Sequence, residues 1–243
     1  VEGLSLGLAL MTPTTPAAGD ARSWIALSAT VDAVDINAQD LGLPDSIKLA
    51  ANKLNLQLNL GLGTQSGADN TQAMDLGRSG TGANAYDGAI TVATGAAGAQ
   101  TTPVTLDYGM AAGEFVSLVA DATMQIGALV SLSGTFAFTR AGARTVTMNN
   151  GKRRSMDLTT IAATDVDVRV GLNADKNDGS FVGVELQNAS LGLMLLQDMR
   201  GGGSFLGLKA GADSVSLEGV AGLTLDAQSI ALSMNTGFGA GAL

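Results

Sequence analysis

The stretch of this chain that gathers oxygen ligands at the shortest spacing is Asp175-Lys176-Asn177-Asp178-Gly179. Asp175, Asn177 and Asp178 open the pattern of an oxygen-ligand calcium loop. Glu185 stands six residues after the glycine, where such a loop takes a bidentate carboxylate. The same residues suit a polar hairpin tip, because Asn and Asp tolerate left-handed backbone geometry. Alternation around Glu185 places it in a strand rather than a loop. The sequence thus offers Asp175, Asn177 and Asp178 as candidate metal ligands, and calcium as the one cofactor it suggests.

Two other groups carry charge at close spacing. Asp165 and Asp167 are two apart on a strand, which sets their carboxylates about 7 Å apart by strand rise. Such a pair binds a cation or works as acid and base, but no Tyr or Trp platform accompanies it, and a solvated strand face accounts for it equally. Lys152, Arg153 and Arg154 follow Asn149-Asn150-Gly151 at a hairpin tip. They suit an acidic neighbour or simple solvation.

Most chemistry is excluded by composition. The chain has no cysteine and no histidine. Thiolate nucleophiles, imidazole bases and nitrogen or sulfur metal sites are absent with them. The lysines have no Ser-x-x-Lys context. No catalytic residue is assigned, and the expectation is a protein that is not an enzyme. Thirteen basic residues face 22 acidic ones, for a net charge of −9. That charge argues against nucleic acid and anionic membrane as partners. No run of about 18 apolar residues suggests a membrane-spanning helix.

The elements that position these residues are strands. In Thr164–Leu172, Val166, Val168, Val170 and Leu172 alternate with Asp165, Asp167 and Arg169, the pattern of a half-buried strand. Residues 53–62 alternate Leu54, Leu56, Leu58, Leu60 and Leu62 with Asn55, Gln57 and Asn59. In 130–140 the alternation of Val130, Leu132, Thr135 or Phe136, and Phe138 suggests one slip near Gly134. Asn150-Gly151 between alternating runs is a hairpin turn. Residues 174–179, 200–203 and 12–22 read as three more hairpin connections. Short connections force antiparallel neighbours. The expected fold is all-β: an elongated, mainly antiparallel meander, arranged as a two-layer sandwich, a roll or a solenoid. Residues 64–102 are rich in Gly, Ala and Thr and read as a connector with one short strand at 89–94. Residues 1–63 and 103–243 make the two flanking meanders.

The chain also matches itself. Ser5–Leu10 aligns with Ser190–Leu195, Trp24–Ala29 with Phe205–Ala210, and Ser46–Gly63 with Gly222–Gly239. The offsets are 185, 181 and 176 residues. The third pair shares Asn59 with Asn235, Gly61 with Gly237 and Gly63 with Gly239. Three blocks in one order suggest a tandem repeat of roughly 180 residues, with 1–63 corresponding to the later part of one copy and the chain read as a segment excised from an array. Trp24 and Phe205 correspond and are expected to be core or stacking residues.

Phe115–Arg140 and Ser204–Gly237 resemble the long repeats of giant secreted or surface adhesin-like proteins of bacteria. That resemblance implies an extracellular or cell-surface structural role as part of a fibre, sheath or filament, with neighbouring copies of the same repeat as partners, and it assigns no site residues. The Gly-Gly-x-Gly-x-Asp calcium repeat of that wider group does not occur here. A second class stays open from the same alternation: strands with one greasy face could line a lipid-carrying β-groove or form an outer-membrane barrel. One tryptophan and two tyrosines are few for the aromatic girdles of a barrel.

Overall fold

In the computed structural model the described residues are 2–36, 46–79, 86–95, 102–109, 113–148, 150–200 and 203–238. Asn149 and Gly239 therefore lie outside the described residues. The protein is all-β, and its strands build one large antiparallel sheet. That sheet contains β1 (Ser5–Met11), β2 (Ser23–Ile36), β3 (Ile47–Leu62), β10 (Phe115–Ile126), β11 (Val130–Thr147), β12 (Arg153–Leu172), β13 (Val182–Asp198), β14 (Ser204–Glu218) and β15 (Asp226–Phe238). They lie side by side in that order, each antiparallel to the next, and β1 and β15 are the two edges. Among the described residues this nine-stranded sheet is open at both edges, and three two-stranded sheets accompany it.

Period-two alternation fixes the faces, because residues paired directly across antiparallel strands point to the same side. One row runs Leu6, Ala29, Leu56, Leu118, Phe138, Ile161, Leu193, Leu208 and Met234, apolar in all nine strands. The adjacent row runs Gly7, Ser28, Gln57, Ser117, Thr139, Thr160, Met194, Gly207 and Asn235, and belongs to the opposite face. Along this row one face is therefore apolar across the sheet, and the other is largely small or polar. Nine strands spaced about 4.8 Å apart make that apolar face about 38 Å wide. It stays open to solvent: Leu6 is 48%, Phe138 39%, Ile161 36% and Met234 44% exposed.

The best-buried core lies on the polar face, under the segment between β3 and β10. Three two-stranded ribbons shape that segment: β4 (Thr64–Gln65) with β5 (Ala68–Asp69), β6 (Arg78–Ser79) with β7 (Tyr86–Asp87), and β8 (Ile90–Val92) with β9 (Val104–Leu106). Residues 103–109, expected to open the second meander, instead belong to this cap, since β9 pairs with β8 and not with the main sheet. Leu76, Leu106, Tyr108 and Phe115 close over Ala26, with Ala9 and Met11 beside them. Tyr108 and Phe115 meet edge to face, centroids 5.3 Å apart. Polar strand residues hold the cap down. Asn59 donates Nδ2–H to the Met74 carbonyl at 2.7 Å and accepts the Met74 N–H on Oδ1 at 3.2 Å, the two bonds a neighbouring strand would make. The Tyr108 hydroxyl donates to the Leu27 carbonyl at 2.7 Å, and Trp24 Nε1 to the Gln72 carbonyl at 2.9 Å. Sequence composition reads this segment as a connector, yet it supplies the tightest packing because the strand face beneath it carries Ala26, Ser28 and Gly61, residues small enough to let a second layer approach.

A line of backbone irregularities crosses the sheet. Lys53, Asp165, Asn188 and Ser229 have φ of +49°, +53°, +50° and +57°. Register shifts fall between Val119 and Asp121 in β10, between Ser133 and Thr135 in β11, and between Ala163 and Val168 in β12. The pairings put them at one level. Asp121 faces Asn52 and Thr135, Thr135 faces Thr164, and Asp213 lies opposite Ser229. Polar bonds tie the level together: Thr135 Oγ1 donates to Asp121 at 2.6 Å, Lys53 pairs with Asp121 at 2.9 Å, and Asn188 Nδ2 donates to Asp213 at 2.6 Å. Each bulge bends its strand and adds local twist, so a row of them creases the whole sheet. The slip expected near Gly134 takes a different form. Strand β11 keeps phase through Leu132, Gly134 and Phe136, which face Met124, Ala122 and Ala120 of β10. The extra residue lies across the ladder in β12.

Candidate apolar groove

The crease has a groove on the apolar face. It holds about 390 Å³ and crosses β11 to β15 at the level of the bulges. Phe136, Val166 and Ile230 form its walls, and Ala163, Ala189 and Ala212 its floor. The row of alanines at the bulge level leaves the space that larger neighbours enclose. The lining is almost entirely carbon, so the groove can exclude water but cannot move a proton or hold an ion. A second cavity of about 420 Å³ lies farther along the same strands, lined by Arg140, Asp157, Thr159, Gln197 and Ser204 together with Leu195 and Leu206. Arg140 pairs with Thr159, Thr159 with Leu195 and Leu195 with Leu206, so these residues belong to the apolar face, whereas Leu196 and Phe205, also in the lining, lie on strand positions of the other face.

The candidate calcium ligands lie on the connection between β12 and β13, and an arginine organises them. Arg169 Nε donates to Glu185 Oε1 at 2.8 Å, while its Nη1 donates to the Lys176 carbonyl at 3.2 Å and to Asn177 Oδ1 at 2.6 Å. Its guanidinium also stacks on Phe181, 5.5 Å from the ring centroid. Asp178 accepts from the Ser180 N–H and hydroxyl, which hold its carboxyl below the usual range. Asp175 lines a polar cavity of about 260 Å³ with Asp167, Arg169, Asn177 and Glu185. Asp175, Asn177 and Glu185 line this cavity together with the Arg169 guanidinium, which hydrogen-bonds Asn177 and Glu185. Among the described residues no three or more His, Cys, Asp or Glu gather as a metal-binding group.

Asp165 and Asp167 do not form the side-by-side pair that regular strand geometry implies. Asp165 is the bulge residue, with its backbone in the left-handed region. Asp167 accepts the Asn188 N–H at 2.9 Å. In the basic cluster, Arg154 pairs with Asp198 at 2.7 Å, and Lys152 donates its backbone N–H to Asn150 at the turn. Trp24 lies under the Arg22 guanidinium, 5.6 Å from its ring, and Phe205 borders the polar cavity.

Three further carboxylates are held below their ordinary range. Hydrogen bonds from Arg22 lower Asp20, the Thr135 hydroxyl and then Lys53 lower Asp121, and the Arg200 N–H with Arg154 lowers Asp198. A carboxylate whose folded pKa lies below its unfolded value, about 3.9 for Asp, adds stability above that value and loses it as pH falls through the folded pKa. With no histidine or cysteine to titrate near neutrality, the urea midpoint should stay flat from pH 6 to 8 and drop once the pH falls below about 4. A midpoint that moves substantially between pH 6 and 8 contradicts this assignment.

Arg169 and the groove are the features that residue-type reasoning overlooks. The arginine was legible as the polar partner of Val168 and Val170, but nothing local shows that it reaches across to residues 176, 177 and 185. No protein family, no curated protein and no solved structure matches the chain.

Proposed function

We propose that this chain is a non-enzymatic structural module of a longer β-ribbon, a sheet that continues past both edges by repeating itself. One observation supports the reading most strongly: the strand triplets at the two ends of the sheet share their register. Leu8 pairs with Leu27 and Leu27 with Leu58. The residues aligned with them by sequence, Leu193, Leu208 and Met234, pair in the same way. The bulge level corresponds as well. Gly3 and Asn188 both have positive φ, as do Lys53 and Ser229, and Asp32 aligns with Asp213. Sequence similarity alone does not require matched left-handed residues at matched pairing positions; structural equivalence does.

On this reading one repeat is the six main-sheet strands β1, β2, β3, β10, β11 and β12, and β13 opens the next copy. Edge strands expose unpaired N–H and C=O groups that invite another strand. The partner for β15 is the counterpart of β10, reached through a second cap. The adhesin-like resemblance supports a position outside the cell for such a ribbon.

The test is an in-phase fusion, residues 1–239 followed by 64–243, because residue 239 corresponds to residue 63. Leu56 pairs with Leu118, and Leu232 is the counterpart of Leu56. The chain has no cysteine, so Leu232→Cys in the first copy and Leu118→Cys in the appended one should crosslink efficiently through a short bis-maleimide. A fusion whose appended half is folded by circular dichroism yet never crosslinks at that pair refutes the repeat.

A further inference from the structure

We propose that the apolar face is a binding trough for a single amphiphile, an acyl chain in the crease groove with its polar head at the Arg140 end. The groove and the polar cavity share one face. They are separated by four residues along β11, from Phe136 to Arg140, and along β13, from Leu191 to Leu195, about 13 Å by strand rise. An almost purely hydrocarbon cavity beside one that offers a cation and hydrogen-bonding groups matches the layout of an amphiphile rather than of an oil or a polar metabolite. Arg140 suits a phosphate or carboxylate, and Asp157 in the same cavity suits an ammonium and opposes a second negative charge. The complementary head group is therefore zwitterionic.

A second copy of the chain is the competing occupant. The apolar face is wide enough for a stable face-to-face dimer, which needs about 800 Å² per partner. Its shape opposes this. Two creased faces brought together would enclose both grooves, and empty apolar cavities of about 390 Å³ each are strongly unfavourable. A bending hydrocarbon chain fills such a groove; a rigid copy of the same concave surface does not. This site is independent of the repeat, because all of its residues lie within one sheet of one chain.

The experiment is native mass spectrometry of the full chain with 1-palmitoyl-lysophosphatidylcholine below its micellar concentration, with palmitate and hexadecane as comparison probes. The expected result is one lysophosphatidylcholine per monomer, with palmitate at least tenfold weaker. Ala212→Phe, which fills the groove floor, and Ile230→Ser, which opens its wall on the edge strand, should each weaken lysophosphatidylcholine at least tenfold. Arg140→Gln should weaken lysophosphatidylcholine about tenfold and leave hexadecane unchanged, a split that a merely structural arginine does not produce. The proposal is overturned if the wild-type chain binds none of the probes, if it forms a stable dimer that excludes them, or if folded Ala212→Phe and Ile230→Ser both bind as wild type. None of these outcomes touches the crosslink that tests the repeat.

Discussion

Replacing Leu106 by Ala should lower the stability of the protein by about 3 kcal/mol, within the roughly 2–5 kcal/mol that buried Leu→Ala changes cost. Leu106 is fully buried (0% exposed) at the centre of the cap cluster. Its loss removes hydrocarbon from a site bounded by the main sheet on one side and by ribbon β8–β9 on the other, so the cavity cannot easily collapse. Leu76 and Tyr108 anchor the cap in the same cluster, and the bonds from Asn59 to Met74 and from Tyr108 to Leu27 hold only while the cap stays docked. Urea unfolding measures the total cost. Hydrogen exchange locates it: amides in 64–109 should exchange faster, Met74 among them, while the ladders from β12 to β14 keep their protection. A loss under about 1 kcal/mol, or faster exchange spread evenly over the sheet, would show that the cap is not held by this core.

Much of this fold was legible in the sequence. Alternation identified the long strands, and Asn150-Gly151 and the other short connections fixed their antiparallel order, because pairing and hairpin geometry are local. The crease was legible too, in a signal that is easily passed over. Apolar residues change parity partway along four strands: Leu49 and Ala51 give way to Leu54 and Leu56, Ile161 and Ala163 to Val166 and Val168, Leu186 to Ala189 and Leu191, and Ala212 to Val215 and Leu217. In β3, β12 and β13 the change coincides with a bulge, since one extra residue flips every later side chain, while β14 changes parity with its pairing to β15 unbroken. What local reasoning could not supply was the alignment of these bulges across strands, and hence the groove, because alignment depends on register between segments distant in sequence. The cap core was hidden for the same reason. Leu76 shows no period, the alternation of Val104, Leu106 and Tyr108 is short, and the burial of both leucines depends on the small residues of β1 to β3. The loop around Asp175 reads two ways because Asn and Asp serve turns and cations alike; Arg169, whose reach across the ladder joins the loop to Glu185, sits on a strand whose pattern is ordinary.

The same dependence on cross-strand geometry makes two glycines of one strand behave oppositely. Gly183→Ala should destabilise the protein by about 2 kcal/mol or more, the size expected when an added methyl group forces backbone apart. Gly192→Ala, nine residues along β13, should be neutral or stabilising by up to about 1 kcal/mol. At Gly183 a Cβ would collide with the Val170 carbonyl oxygen and stand 2.7 Å from the Gly171 Cα. Gly183 pairs with Gly171 across the ladder, and both obstacles are backbone, so no side chain can turn aside to relieve them. At Gly192 the nearest atom is the Lys209 carbonyl oxygen at 3.8 Å, an ordinary contact. Both positions lie within the same strand, so strand propensity and unfolded-chain entropy change alike, and the difference between the variants reports the close approach alone. That approach brings β12 and β13 together just before the loop that Arg169 holds with Asn177 and Glu185. Gly183→Ala should therefore also speed exchange and proteolysis within 173–181, whereas Gly192→Ala should leave the loop as it is. Equal stability in the two variants would mean that β12 and β13 do not meet at the Gly171–Gly183 pair, and with it would go the register that aligns the bulges of these two strands into one crease.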